Sequence, residues 1–320
     1  MPIANKSVNL DALKREDMRS GLAKTPKRFP GRYIYDSRGS ELFDALVNMP
    51  GYYILHVEHE ILRRHAVDIA ASIPARILVD LGSASSEKTY HLIGVLHEKG
   101  SLSHYTAVDL SHSALKKGAS TLCRDYPDLV IQSVVGDFNT SLNLNPQNGP
   151  TLVTILGGTF GNHTPTQRHL LLSSIRSQLN PGDALLLGTN LLRNEQTMVS
   201  AYNDDEGTMA SFLKNSLTVL NYELGANFDP DSFDHVTVWN SQEERVESCL
   251  RARRSFNVTL SQPEQTVMFE DKELLHCGFS YRFREEGLRS ELAAAGFKLA
   301  CWWTDLEGHC AITLSHPVPL

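Results

Sequence analysis

The sequence predicts a doubly wound α/β domain, a mostly parallel sheet covered by helices, with a smaller α+β domain attached. Three observations predict it. Apolar strand-like runs alternate with helix-like segments over about 130 residues. The runs end at small or acidic residues, where an open parallel sheet binds ligands. The alternation then breaks between about 196 and 285, which reads as inserted material.

The first strand is RILVDLG at 76–82, four apolar residues and an Asp before a Gly turn. SASSEKTYHLIGVLHEKG follows as a helix with a Ser-rich first turn. HYTAVDLS at 104–111 is a short strand ending in Asp109, and SALKKGASTLCRDYP is a helix stopped by Pro127. LVIQSVVGDF at 129–138 is a strand. TLVTILGGTFGN at 151–162 is an almost wholly apolar one. TPTQRHLLLSSIRSQLNPGD gives a helix and a Pro-Gly turn, and ALLLGTN at 184–190 is another buried strand. Near the end, LRSELAAAGFKLACWWTDLEGHCAITLSH reads as a helix, a Gly stop and a β-hairpin that closes the sheet. FDHVTVWN, RVESCLRARRSFNVTL and EQTVMFED are longer strands of the inserted region. The expected division is 59–195 with 286–320 as the main domain, and 1–58 with 196–285 as the second.

Composition narrows the function. Lys plus Arg is 30, Asp plus Glu 37 and the net charge −7, which argues against a nucleic-acid or anionic-membrane binder. Five cysteines, at 123, 249, 277, 301 and 310, include no C-x-x-C pair, so neither a disulfide framework nor a zinc finger is expected. No apolar run approaches the roughly 20 residues that span a bilayer, and the N-terminus lacks an apolar signal core. A cytoplasmic protein is the expectation, with a monomer as the default.

Four strand ends carry informative residues. Asp80-Leu81-Gly82-Ser83-Ala84-Ser85 is a small-residue turn that lets a ligand approach the backbone at a helix N-terminus. A ligand-free tight turn explains it equally well. Asp109 ends the next strand, where a carboxylate can accept both hydroxyls of a ribose. It could instead cap the following helix, although Ser111 suits that task as well. Gly136-Asp137-Phe138 offers an acceptor for an exocyclic amine and a ring to stack on adenine, or an ordinary turn. Gly157-Gly158-Thr159-Phe160-Gly161-Asn162 is a Gly-rich end with an amide for a small polar ligand, or a loop of turn-formers.

Neither G-x-G-x-x-G nor G-x-x-x-x-G-K-[ST] is present, so no pyrophosphate cradle is expected. S-adenosylmethionine (SAM) is an adenosine ligand without phosphates. A methyltransferase is the best reading of the residues and a nucleotide-binding oxidoreductase the second. His56 and His59 beside Glu58 and Glu60 read as a solvated helix face rather than a metal site. Trp302-Trp303 reads as a strand alternating between core and surface, and Arg251, Arg253 and Arg254 as an exposed strand face.

The chain resembles the histidine-specific SAM-dependent methyltransferase family, whose best-known member makes Nα-trimethylhistidine. The resemblance runs from about residue 16 to 315. It rests on YDSRGSELFD, the Pro-x-Tyr-Tyr of 50–53, LGSASSEKT, GDF, GGTFGNHTP, LLLGTN, AYND, WNSQEER and WWTD, in the family's order. It implies a class I methyltransferase domain with a C-terminal hairpin, and a second domain that closes over an amino acid. By resemblance Tyr35 borders cofactor and substrate. Gly82, Ser83, Lys88, Asp109, Asp137 and Phe138 line the SAM site. Tyr52, Asn162 and Tyr202 hold the substrate's carboxylate and amine, with Gly157 beside them. Tyr35, Asn162 and Tyr202 are the expected catalytic positions, acting by alignment; neither an obligatory general base nor a metal is expected.

The departures bear on substrate. The family's histidine enzymes hydrogen-bond the imidazole with a Glu and a Ser two residues apart. Here Ser280 matches the Ser, but Gly278 stands at the Glu position, and Ser248 replaces a Met beside the ring. Tryptophan N-methylating relatives are similar in having Gly there. The resemblance with these departures implies α-N-methylation of a bulky aromatic amino acid, tryptophan or an indolic derivative first. L-Histidine is the alternative, read through Ser280 and one further residue. A silent SAM-binding relative and a nicotinamide reductase are the remaining options. The expected chemistry is in-line methyl transfer to the neutral α-amine, held roughly 3–3.5 Å from the methyl.

Overall fold

A computed structural model describes residues 10–49, 52–140, 142–144, 149–261 and 264–319. Pro50 of the 50–53 motif, and the N-terminal stretch before residue 10, lie outside them. The described chain divides into two compact units. The larger holds Ile54–Arg193 and the residues from Tyr281 onward. The smaller holds those up to Tyr53 and Asn194–Ser280.

The smaller unit comes first in the chain, with α1 (Leu10–Leu22), β1 (Lys27–Arg28), a 3-10 turn at Gly31–Ile34 and α2 (Ser37–Val47). The larger unit follows: α3 (Tyr53–Ser72), β2 (Ile77–Leu81), α4 (Glu87–Glu98), β3 (His104–Asp109) and α5 (His112–Asp125). It continues through β4 (Val130–Val135), β5 (Thr151–Ile155), α6 (Pro165–Arg176) and β6 (Ala184–Asn190). The smaller unit resumes with α7 (Glu195–Ser200), α8 (Thr208–Leu224), β7 (Phe233–Asn240) and β8 (Arg245–Ala252). Then come β9 (Phe256–Ser261), β10 (Glu264–Phe269) and β11 (Leu274–Tyr281). The larger unit closes with α9 (Glu285–Ala294), β12 (Phe297–Thr304) and β13 (Cys310–Pro317).

The larger unit is built on one sheet, ordered β12-β13-β6-β5-β2-β3-β4. Strands β2 to β6 are parallel. Strand β13 runs antiparallel to both β6 and β12, so the expected hairpin closes the sheet. Every residue of β2, β5 and β6 is buried, as the near-continuous Val, Ile and Leu of central parallel strands require. The chain reverses its strand order beside β2, whose neighbours are β3 and β5, and the carboxyl ends there form the crevice of such sheets.

Local caps set the helix starts. Ser111 caps α5 by accepting from the Ala114 amide at 3.4 Å, which leaves Asp109 outside the cap. Thr164 and Gln167 form a capping box on α6, with Pro165 at the first helical position. Helix α4 departs from expectation. Ser86 precedes it in a left-handed conformation and makes no cap. Its hydroxyl is held by the buried Tyr105 hydroxyl at 2.8 Å instead.

Arg168 on α6 fixes the loop after β5. Its guanidinium makes a two-pronged ion pair with Glu291 on α9, at 2.7 and 2.6 Å. It also donates to the His163 carbonyl at 2.9 Å and lies 4.7–5.6 Å from the ring centres of Phe160, Tyr281 and Phe283. Planar charge and aromatic faces suit one another, which selects Arg over Lys here.

The smaller unit has its own sheet, ordered β1-β11-β8-β7, and a separate β9-β10 hairpin. RVESCLRARRSFNVTL, expected as one strand, is two, because Arg253, Arg254 and Ser255 turn between β8 and β9. Arg251 and Arg253 are exposed and pair with Asp234. The core unites Phe212, Leu213, Leu217 and Leu220 of α8 with Leu250, Leu275 and Cys277 of the sheet.

Breaking the Arg168 pair leaves Glu291 without its partner and the His163 carbonyl unbonded. Arg168→Ala is expected to lower unfolding free energy by about 2–3 kcal/mol, because the Glu291 left behind is partly exposed. Arg168→Lys should recover less than half of that, because an ammonium cannot span both carboxylate oxygens. Urea unfolding of the three proteins checks both statements.

Candidate functional site

In the larger unit, the ends of β2, β3, β4 and β5 bring most of the expected ligand residues to one edge of the sheet. Gly82 follows β2 with φ +75°, and Gly157 follows β5 with φ +72°, a conformation that favours glycine. A Cβ at Gly82 would meet the Thr159 side chain at 3.1 Å, and one at Gly157 would collide with the Lys88 ammonium. The two turns therefore lie against each other, with Lys88 of α4 reaching in and its Nζ 3.5 Å from the Gly82 carbonyl.

The Ser83 hydroxyl is buried and has no hydrogen-bond partner among the described residues. An orphaned buried hydroxyl is costly unless a ligand or water completes it. Asp109 accepts from the Ala84 amide at 2.9 Å on one oxygen and from the Ser111 amide at 2.8 Å on the other. It thus stitches the β2 and β3 turns together, and each oxygen keeps a second lone pair for a ligand hydroxyl. Asp137 accepts from the backbone and side-chain nitrogens of Asn139, at 2.9 and 2.8 Å. The Phe138 ring stands 6.2 Å from that of His163. A donor-lined glycine cradle, a carboxylate at the second strand end and an aromatic beyond it fit a nucleoside ligand.

Two buried carboxylates underlie this edge. Asp80, on β2, accepts from Thr154 at 2.8 Å, Thr89 at 2.8 Å and Tyr105 at 3.0 Å. Glu58, on α3, is fully buried and accepts the Gly157 amide on both oxygens, at 2.7 and 2.9 Å. This corrects the reading of 56–60 as a solvated helix face. The carboxyl fits over β6 because residue 188 is Gly; a Cβ there would lie 2.6 Å from its Oε2. Burial raises the pKa of Glu58 and of Asp80, and in both the Lys88 charge opposes that rise.

Asn162 ends the short 3-10 turn Thr159–Asn162 and is exposed, next to buried Phe160 and His163. Burial lowers the pKa of His163, whose Nδ1 lies 3.0 Å from the Thr159 carbonyl.

The smaller unit gathers three expected tyrosines. Tyr35 packs on Phe43 at 5.2 Å, Phe43 on Tyr52 at 6.3 Å, and Tyr52 edge-on to Tyr202 at 6.1 Å. Tyr35 is set between Ile34 and Asp36; Asn215 donates to the Ile34 carbonyl at 3.2 Å and to the Asp36 carboxylate at 2.8 Å. The Tyr202 carbonyl accepts from Thr237 at 3.2 Å, and Thr237 pairs with Ser248 across β7 and β8. Ser248 thereby shares the Tyr202 side of the sheet.

Strand β11 carries Gly278 and Ser280. His276 Nδ1 lies 3.0 Å from Glu247 Oε2 and 3.6 Å from Cys249 Sγ, on the sheet face opposite Ser248. The Arg245 guanidinium, bound to Glu247, lies 4.9 Å over the Phe279 ring. Ser248 stands on β8 and Ser280 on β11. Both hydroxyl residues are buried. A Cβ added to Gly278 meets nothing within 4 Å, so the glycine leaves open space.

Sequence reasoning missed Glu58, Glu247 and His276. Glu58 was detectable: it stands in helical phase with the buried Ile54, Ile61 and Leu62. The Glu247–His276 contact joins two strands and has no local signal.

A sequence-family model described as histidine-specific methyltransferase, SAM-dependent, matches residues 14–317. The chain is 42% identical over 301 residues to a histidine N-alpha-methyltransferase of Mycobacterium tuberculosis, covering 94% of each chain. It is 40% identical over 305 residues to one of Mycolicibacterium smegmatis, covering 95% of each. It is 28% identical over 312 residues to the 4-dimethylallyltryptophan N-methyltransferase easF of Epichloe festucae var. lolii, covering 89% of this chain and 90% of that one.

Glu58 makes a pH-dependent contribution. Its folded pKa is raised, so folding takes up a proton above the unfolded pKa, and stability falls as pH rises toward the folded pKa. Glu58→Gln keeps an acceptor for Gly157 and cannot ionise. The melting temperature of wild type relative to Glu58→Gln is expected to fall as pH rises above about 4.5 and then level off. Thermal melts from pH 4 upward check it; a constant difference would mean the carboxyl is not raised.

Proposed function

The chain belongs to the histidine-specific, SAM-dependent methyltransferase family, and on that premise we propose that it methylates the α-amine of L-histidine. The observation that carries the substrate is the 42% identity, across 94% of both chains, to a protein named for that reaction. This favours the alternative over the indolic substrate inferred from Gly278 and Ser248. Two side-chain positions decide less than the rest of the chain.

Bound SAM supplies a methyl group activated on a sulfonium. The glycine cradle of 82 and 157, with the Ser83 hydroxyl, admits it close to the backbone. Lys88, Asp109, Asp137 and Phe138 complete its binding set. Tyr35, Tyr52 and Tyr202 of the smaller unit are the candidates for the amino acid's amine and carboxylate, and Asn162 of the larger unit is a separate candidate. Phenols and an amide bind these charges without competing as nucleophiles. The amine must be neutral to attack, and orienting it is the main contribution asked of these residues.

Ser248 supplies the second imidazole partner. A neutral imidazole presents one donor and one acceptor, and each Ser hydroxyl can answer either. With Gly278 in place of a carboxylate, Ser248 and Ser280 read the ring as a neutral pair. A site built to hydrogen-bond a ring nitrogen rejects rings lacking it.

The second reading keeps an indolic amino acid. The open space at Gly278 favours it, and so does the 28% identity to a 4-dimethylallyltryptophan N-methyltransferase.

The deciding experiment offers purified protein SAM with equimolar histidine, tryptophan and 4-dimethylallyltryptophan, and follows products by mass spectrometry. Nα-methylated histidine as the main product supports the proposal; a methylated indolic product with none from histidine overturns it in favour of the second reading. Ser280→Ala and Ser248→Ala should each raise KM for histidine about tenfold, the loss of one hydrogen bond of about 1.4 kcal/mol. Unchanged KM in either variant removes that serine from recognition. Gly278→Glu, whose Cβ meets nothing within 4 Å, should shift the ranking further toward histidine.

A further inference from the structure

Glu247, Cys249 and His276 stand together on the face of β8 and β11 opposite Ser248, outside the methyl-transfer residues. Their ligating atoms all lie within 4.8 Å of one another. We propose that they form a binding site for a divalent cation of the zinc class.

The distances support the assignment. With metal–sulfur near 2.3 Å and metal–nitrogen near 2.0–2.1 Å, neighbouring ligands of a tetrahedral zinc stand about 3.3–3.6 Å apart. His276 Nδ1 lies 3.6 Å from Cys249 Sγ and 3.0 Å from Glu247 Oε2. A shift of a few tenths of an ångström at Glu247 opens the second edge. A thiolate, an imidazole and a carboxylate select zinc and its neighbours over magnesium or calcium.

The site is also oriented from behind. Asn240 Nδ2 and Arg245 Nε both donate to Glu247 Oε1, at 3.0 and 2.7 Å, and leave Oε2 turned to His276. Ligating carboxylates in metal sites are commonly fixed this way. Cys249 is fully buried, whereas the His276 side chain is 22% exposed. The imidazole thus marks the entry path and the side on which water completes a fourth position. Binding displaces the Cys249 thiol proton to solvent and forms the metal–sulfur bond, while Glu247 and a neutral His276 bind without losing a proton. The charge of Arg245 weakens the cation's affinity but remains on the far carboxylate oxygen. Because β8 and β11 also carry Ser248, Gly278 and Ser280, the ion would clamp the strands behind those residues. It takes no part in methyl transfer.

The test uses the metal-stripped full chain and the metals alone. Zinc chloride is titrated against a chromophoric chelator, and cobalt(II) binding is followed by absorption. One ion per chain is expected, with a thiolate-to-cobalt charge-transfer band and the intense d–d bands of a four-coordinate site. Cys249→Ser should abolish the charge-transfer band, and Cys249→Ser and His276→Ala should each weaken zinc binding at least tenfold. Cys123→Ser, at an exposed cysteine, should change neither. Absence of stoichiometric binding overturns the proposal. So does a charge-transfer band that survives Cys249→Ser or disappears with Cys123→Ser.

Discussion

The buried Asp80 carboxylate is the interaction on which the cofactor edge depends. It sits on β2 and accepts hydroxyls from a helix and from both neighbouring strands. Taking a carboxylate out of water is costly unless its lone pairs are satisfied. Three hydroxyls meet that demand, and in doing so they tie α4, β3 and β5 to β2. Tyr105 passes the constraint on to Ser86, which cannot then cap α4. Ser86 takes a left-handed conformation at the turn before α4.

Glu58 does for the β5 turn what Asp80 does for the sheet. Both oxygens are spent on one amide, that of Gly157, and the Lys88 charge offsets part of the burial. The edge is thus held by acids beneath and a cation between. Asp109 is the exception: half-buried, it joins two turns and keeps acceptor capacity to spare. Asp109 therefore differs from Asp80 and Glu58 by its partial exposure.

Much of the larger unit was legible because its signals are local. The apolar runs of β2, β5 and β6 could only be buried strands, and the residues just past them could only lie at the sheet edge. The hairpin of β12 and β13 announced itself through Gly296 and Asp-x-x-Gly. The smaller unit was less legible. Its two-residue strand β1 pairs with β11, from Lys27 to Leu275, across nearly the whole chain. The Glu247–His276 contact joins β8 to β11, which no window of sequence contains. The substrate expectation rested on Gly278 and Ser248 together, two positions of the smaller unit.

The path of the chain between the two units has a consequence for synthesis. As translation proceeds, α1, β1 and α2 leave the ribosome about 160 to 200 residues ahead of α8, the helix against which α2 packs. They must wait with apolar faces uncovered while five parallel strands are made. Those strands wait in turn, because β13 covers the flank of β6 and comes last. Neither unit is complete until nearly the whole chain has emerged, so the nascent protein carries two unfinished cores at once. Domains that can close one after another escape this exposure. A chain threaded in this way keeps apolar surface open for longer than one whose domains close in turn.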